Sequence, residues 1–189
     1  MSKNGNPSVP FPTRPARVYL TGFMGAGKST VGPLLADLLG WSFQDTDQWI
    51  ERTTGVSVSS WIEKQGELEF RRIEVQALRE VSKDPRQVIA LGGGAIQTAE
   101  GVSWVKAQGW LIFLSADLDS LLKRLSSGMD QRPLLKKLAG QIDQQSLLDL
   151  LQKRENYYHQ ADFKIQTDQK DPGRVAAELK NWLMREIGQ

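Results

Sequence analysis

Apolar residues recur along this chain in two alternating periods, one suited to strands and one to helices. Arg17-Val-Tyr-Leu-Thr21 is a short β-rich run that a glycine loop ends, and Lys28 to Leu39 then carries Val31, Leu34, Leu35, Leu38 and Leu39 at helical spacing. A short run at Trp41 to Gln44 precedes another helical stretch. Gln87 to Leu91 and Trp110 to Leu114 are apolar runs of strand length, each followed by helix-compatible sequence, and Phe163 to Gln166 is a weaker last strand. Strands alternating with helices predict a three-layer α/β/α fold on a five-stranded parallel sheet, with ligands at the carboxyl ends of the strands.

Other segments depart from this alternation in informative ways. Between the second and third strands, Gly66 to Lys83 sets Phe70, Ile73, Ala77, Leu78 and Val81 on one helical face, with Arg71 and Glu74 beside that stripe, one turn apart. The last helix has Asp171 as its expected N-cap, Pro172 at its first position, and Val175, Leu179, Trp182, Leu183 and Ile187 as its buried face. Pro33 lies inside the first helix, where the missing backbone donor is expected to bend the early turns. Met1 to Pro15, with four prolines and no apolar period, reads as a mobile leader outside the fold. Ser126 to Gln141 lacks periodicity and is rich in Gly, Asp, Gln, Lys and Arg, the character of an active-site lid.

Composition narrows the setting. With 189 residues, the chain suits one domain, taken here as 16–189 with an insertion at about 46–83 and a lid at about 126–141. Hydrophobic residues at 40% and charged residues at 24% imply an ordinary packed core. A formal charge of only +2 gives no reason to expect a nucleic-acid partner. No apolar run is long enough for a membrane helix, so the chain is expected to stay in solution; the setting expected for it is the cytoplasm, and the state expected is a monomer. There are no cysteines, which excludes disulfides and leaves any metal to oxygen ligands.

The strongest motif is Gly22-Phe-Met-Gly-Ala-Gly-Lys28-Ser29, a G-x-x-x-x-G-K-S run between a predicted strand and a predicted helix, with a further glycine at Gly25. Glycines let successive N–H groups point inward at phosphate oxygens, and the helix N-terminus adds its positive dipole end. Lys28 suits the β- and γ-phosphates, and the Ser29 hydroxyl suits Mg2+. Asp45-Thr-Asp47 follows the second strand; one carboxylate can serve the metal's water shell and the other can accept hydrogen bonds from substrate hydroxyls, while an Asp here serves equally as a helix N-cap. Gly92-Gly-Gly94 either exposes backbone donors to a ligand carboxylate or is a flexible turn. Arg71, Arg132 and Arg154 form a cationic set facing one cleft, against the alternative that each is a solvated or ion-paired surface residue.

In the order and spacing of these residues the chain resembles the shikimate kinase family from Arg17 to about Ile187. The resemblance rests on Gly22 to Thr30, Asp45-Thr-Asp47, Gly66 to Glu74, Gly92-Gly-Gly94, Arg132-Pro-Leu-Leu135, and Arg154 followed by Tyr157. It implies an ATP- and Mg2+-dependent kinase of shikimate, in aromatic amino-acid (chorismate) biosynthesis. On that pattern Gly22, Gly25, Ala26, Gly27, Lys28, Ser29 and Thr30 hold the nucleotide phosphates, and Arg124 and Pro172 lie on opposite faces of the adenine. Ser29 and Asp45 serve the metal. Asp47 binds the ring hydroxyls and is placed to take the proton of the one phosphorylated. Arg71 and Arg154, with the Gly93 and Gly94 backbone, hold the carboxylate, while Arg132 folds over the transferring phosphoryl group with Lys28 on its other side.

Three positions depart from the family pattern. Ala90 stands where a small hydroxyl residue is usual, which removes the group for a water-mediated metal contact there. Trp61-Ile62 replaces the aromatic near the substrate ring, and Gln169 and Lys170 stand where arginines are frequent near Pro172. His159 has no nameable catalytic partner and reads as a surface residue. Competing readings are a related kinase of gluconate or a nucleoside monophosphate, and a non-catalytic nucleotide-binding module. Neither calls for the paired arginine clamp together with every catalytic group.

Overall fold

A computed structural model describes residues 16–127 and 144–187 of the chain. The expected leader, most of the expected lid and Arg132 lie outside the described residues. Five parallel strands form one sheet: β1 (Arg17–Thr21), β2 (Ser42–Asp45), β3 (Gln87–Ala90), β4 (Trp110–Ser115) and β5 (Phe163–Gln166), in the order β2-β3-β1-β4-β5. Eight helices accompany them among the described residues: α1 (Lys28–Leu39), α2 (Thr46–Thr54), α3 (Val58–Gln65), α4 (Glu67–Val81), α5 (Ala99–Gln108), α6 (Leu118–Ser127), α7 (Gln144–Tyr158) and α8 (Pro172–Ile187).

The central strand explains the layering. All five residues of β1 are buried, so both of its faces must be covered. Val18 and Leu20 share one apolar cluster with Val31 and Leu35 of α1 and Val175, Leu179 and Leu183 of α8. Tyr19 points the other way, into a cluster with Leu78 and Val81 of α4 and Val102 and Val105 of α5. That alternation is the period of two of an extended strand. The insertion α2–α4 has a small core of its own, in which Ile50, Val58, Phe70 and Ala77 pack with Trp49 and Trp61.

Two details differ from the sequence expectations. First, β2 starts at Ser42 because Trp41 still belongs to the end of α1: Gly40 is left-handed at φ 65°, and the Trp41 N–H donates to the Ala36 carbonyl at 2.9 Å. Second, α1 runs unbroken through Pro33, but Leu34 and Leu38 are 38% and 42% exposed, and the buried face is Val31, Gly32, Leu35 and Ala36. Gly32 is the reason. A side chain there would run into the Phe43 ring of β2, so its absence sets how closely α1 approaches the sheet. As expected, Asp171 caps α8, accepting from the N–H of Gly173 at 2.8 Å. No helix among the described residues is long and apolar enough to cross a membrane.

The register fixes where function can gather. Leu20 of β1 and Asp45 of β2 both pair with Ala90 of β3, so three adjacent strands end at one level. The loops that leave them, Gly22–Gly27, Asp45–Asp47 and Gly92–Gly94, therefore lie side by side. The closeness of α1 to β2 yields a first prediction. Gly32→Ala places a methyl group 2.9 Å from Phe43 Cδ2 and nearer still to the next ring atom, and is expected to destabilise the fold by about 1–3 kcal/mol. Chemical denaturation measures this, and an unchanged midpoint would contradict the packing.

Candidate active site

The loop after β1 has the geometry of a phosphate cradle. Gly22, Gly25 and Gly27 have positive φ values of 147°, 83° and 100°, and Gly27 is the left-handed cap from which α1 starts. A Cβ on Gly22 would collide with the Leu114 carbonyl of β4, so the loop's closeness to the sheet also requires glycine. The Ala26 N–H donates to the Phe23 carbonyl at 3.1 Å and the Thr30 N–H to the Gly27 carbonyl at 3.0 Å, which closes the turn. No acidic residue lies in the first turn of α1, leaving its positive dipole end uncompensated from within the helix. Lys28 curls back over the loop, and its Nζ donates to the carbonyls of Gly22 at 2.7 Å and Phe23 at 3.3 Å.

Asp45 is the helix cap that the sequence left open as one of its readings, and its second oxygen meets the phosphate loop. Its Oδ1 accepts from the N–H groups of Asp47 and Gln48 at 3.0 and 3.2 Å, capping α2, while its Oδ2 accepts from the Ser29 hydroxyl at 2.9 Å. Between the two carboxylates, the buried Thr46 hydroxyl donates to the Ala90 carbonyl at 3.4 Å and accepts from the Gly92 N–H at 2.7 Å. It ties α2 to the end of β3 beside Ala90. Asp47 is the unusual group. Its Oδ1 is buried with no hydrogen-bond partner among the described residues, and a Cβ on Gly92 would touch it. Burial, joined by the charge of Asp45, pushes its carboxyl up to about 6; Lys28 opposes this, and Glu74 and Glu51 add to it.

The arginines of two different helices converge on the glycine run. Arg71 of α4 gives Nη1 to Glu74 Oε2 at 2.9 Å and Nη2 to Glu67 Oε1 at 2.7 Å. Glu74, only 2% exposed, uses its second oxygen to accept the Gly94 N–H at 2.9 Å. One of the two backbone donors anticipated for a ligand carboxylate is thus engaged by Glu74. Any side chain at Gly94 would strike Arg71, and one at Gly93 would come within 2.9 Å of Arg154 Nη1. Arg154 of α7 lies over the Phe23 ring at 5.6 Å, and its Nε is buried without a hydrogen-bond partner among the described residues. Glu67, Arg71, Gln97, Lys153, Arg154 and Tyr157 line a cleft of about 300 Å³. Tyr158 is buried instead, stacked on Phe113 with centroids 4.6 Å apart.

On the other side of the glycine loop, Arg124 of α6 bridges three groups. Its Nη1 donates to the Gly25 carbonyl at 3.2 Å and to Thr167 Oγ1 at 3.0 Å, and its Nη2 to the Thr167 carbonyl at 2.8 Å. Pro172 starts α8 just after Gln169, which holds a left-handed φ of 56°, and Lys170, which pairs with Glu178 at 2.6 Å. Burial works to raise Asp168, but hydrogen bonds from Ser120, Gln166 and the Asp117 N–H, with the Arg124 charge, hold it below the usual range. Trp49 and Trp61 sit in the insertion's core, and His159 is exposed beside Glu155. Three residues outside the candidate set shape the site: Glu74, Gln97, whose Nε2 donates to the Gly93 carbonyl at 2.7 Å, and Lys153. Only Glu74 had a signal, an acid beside an apolar stripe one turn after an arginine.

No group of three or more acidic or histidine side chains among the described residues forms a metal cage. The Ser29–Asp45 oxygen pair beside the phosphate cradle fits a Mg2+ that takes one or two protein oxygens and completes its shell from phosphates and water.

Comparison with known proteins agrees in both sequence and shape. The shikimate kinase family profile matches residues 24–184. The chain is 38% identical over 173 residues to a shikimate kinase of Chlorobium luteolum, covering 89% of this chain and 85% of that one. To a shikimate kinase of Chlorobium phaeobacteroides it is 40% identical over 175 residues, with 90% and 92% covered. Among solved structures, shikimate kinase from Acinetobacter baumannii in complex with shikimate superposes with a TM-score of 0.80 at 37% identity, covering 92% of this chain and 95% of that chain.

The state of Asp47 gives the second prediction. Its folded carboxyl titrates near 6 against an ordinary 3.8, so what it contributes to stability is fully present below about 3.8 and is lost as pH rises through about 6. Asp47→Asn removes a buried charge that is penalised at neutral pH. The variant is expected to melt above the parent at about pH 8, by up to about 3 kcal/mol, with the difference shrinking toward zero below about pH 4. Thermal melts across pH measure it, and a gain that does not depend on pH contradicts the burial argument.

Proposed function

The chain belongs to the shikimate kinase family, and we propose that it transfers the γ-phosphoryl group of ATP to a ring hydroxyl of shikimate, giving ADP and shikimate 3-phosphate for chorismate and aromatic amino-acid synthesis. The observation that carries this reading is the position of Asp47. A half-buried carboxylate, with one oxygen buried and unpartnered among the described residues, lies between a phosphate cradle on one side and a pair of arginines on the other.

In the transfer, the substrate hydroxyl oxygen forms its bond to the γ-phosphorus as the bond to the β–γ bridging oxygen breaks. Asp47 takes the hydroxyl proton, and its raised pKa suits a base working near neutrality. Arg71 and Arg154 hold the shikimate carboxylate together with the Gly93 backbone N–H, that of Gly94 being engaged by Glu74, and a planar guanidinium matches a carboxylate in bidentate fashion. Glu74 keeps the Arg71 fork in place. The N–H groups of the Gly22–Gly27 loop and Thr30 hold the β- and γ-phosphates, Lys28 leaves the loop carbonyls to neutralise them, and Arg132 approaches the transferring group from the lid. Arg124 and Pro172 bracket the adenine. Ser29 and Asp45 would hold Mg2+, which would supply neutralising positive charge to the nucleotide phosphates. We place the enzyme in the cytoplasm as a monomer.

Release of ADP with shikimate, quinate, gluconate, AMP and water as acceptors tests the reading. Release is expected to require shikimate and Mg2+, and equal turnover across the panel would refute it. Shikimate kcat/KM is expected to decline as pH falls through about 6, as Asp47 becomes protonated. Loss of the clamp and loss of the lid cation should differ. Arg71→Lys, which keeps a charge for Glu74 but loses the fork, should raise the shikimate Kd by more than tenfold, on the order of 2 kcal/mol. Arg132→Ala should instead lower single-turnover rates by on the order of a thousandfold with little change in Kd. Tryptophan quenching gives each Kd. An Arg132 variant with intact chemistry would remove that residue from the role.

A further inference from the structure

We propose that Glu67 is a resident competitor for the substrate carboxylate: it occupies the cleft-facing edge of Arg71 and yields it when substrate binds, which holds the affinity of the site down. The inference rests on the function proposed above and adds a residue that tunes it.

Each terminal amino group of Arg71 already serves a carboxylate. The partner of Nη1 cannot leave. Glu74 is 2% exposed, also accepts the Gly94 N–H at 2.9 Å, and would be stranded as a buried charge without its guanidinium. The partner of Nη2 is of another kind. Glu67 is the first residue of α4, its side chain is 71% exposed, and it reaches Arg71 across one helical turn at 2.7 Å. Exposed ion pairs of this spacing are weak, because each charge is nearly as well solvated alone. Glu67 also lines the cleft opposite Lys153 and Arg154 of α7.

A substrate carboxylate that reaches Arg71 therefore replaces one carboxylate by another. What Arg71 adds to affinity is then its bonding to the substrate carboxylate less the bond given up by Glu67. The surplus comes from Arg154 and Lys153 across the cleft, and from the hydroxyl contacts of Asp47. By the same exchange, Glu67 can reclaim Arg71 as the product leaves.

The test compares Glu67→Gln with the parent by calorimetric titration of shikimate without nucleotide, and by steady-state kinetics. The expected result is a Kd and a KM about two- to fivefold lower in the variant, with kcat changed by less than the Kd. Glu69→Gln is the control. It removes an equal charge from the same first turn, one paired with Arg72 at 2.7 Å and absent from the cleft lining, and should leave the shikimate Kd unchanged. A Kd that is unchanged or raised in Glu67→Gln would overturn the proposal, a rise meaning that Glu67 positions Arg71 for substrate. An equal gain in Glu69→Gln would overturn it too, by reducing the effect to general charge. Should the parent itself neither bind nor phosphorylate shikimate, the proposed function fails and this inference with it.

Discussion

The pairing of β2, β3 and β1 at one level is the constraint from which the rest of the site follows. Because the strands are parallel, each delivers its departing loop to the same edge. Because Leu20 and Asp45 share Ala90 as their register partner, the phosphate cradle, the paired aspartates and the glycine run come out adjacent. A slip of one residue in β2 would turn Asp45 to the opposite face and separate it from Ser29. The register is held from both sides: Gly32 lets α1 approach Phe43, and Thr46 hydrogen-bonds the end of β3. Packing beneath the sheet edge and polar tethering above it therefore position the same three loops.

Two carboxylates at that edge, Glu74 and Asp47, lie in opposite surroundings. Glu74 has a guanidinium on one oxygen and a backbone N–H on the other, so both of its buried oxygens are hydrogen-bonded. Asp47, a short distance away, has Oδ1 buried without a hydrogen bond among the described residues, and like charges of Asp45, Glu74 and Glu51 around it. It is consequently held near 6, where taking up a proton costs little. The Arg71 fork goes to Glu74 because α4 carries the two residues one turn apart on a single rigid element.

Much of this was legible in the sequence because it is carried by local rules. Positive-φ glycines before a helix, an apolar run ending in Asp-Thr-Asp, and a capped proline start to the last helix each state their structure within a few residues. The strand order and the depth of individual side chains were not local. Leu34 and Leu38 have helical spacing with the buried residues of α1, yet they lie exposed, because the helix rotates to set Gly32 against Phe43. Likewise, Gln97 and Lys153 carry no motif. Gln97 matters only because its amide meets the Gly93 carbonyl, and Lys153 only because α7 returns across the cleft. The role of Glu74 was half visible: its spacing from Arg71 is sequence, but its bond to Gly94 is topology.

Three of the polar groups proposed to meet a ligand are held meanwhile by an internal partner, whereas Asp47 Oδ1 and Arg154 Nε have none among the described residues. Lys28 rests on neutral carbonyls, where phosphate offers full negative charge; the Ser29 hydroxyl rests on Asp45; Arg71 shares its outer edge with a solvated Glu67. Holding these side chains in one pose lowers the conformational entropy lost on binding, since long cationic chains are among the most costly to order. The same partners must be exchanged, which subtracts from affinity. For a catalyst the balance is favourable. Interactions that bind ground state and transition state equally do not speed the chemical step, whereas charge aimed at the transferring phosphoryl group does. On the function proposed here, a site that spends modest binding energy on the substrate carboxylate, and keeps Lys28 close to where charge develops, is organised for turnover more than for tight capture.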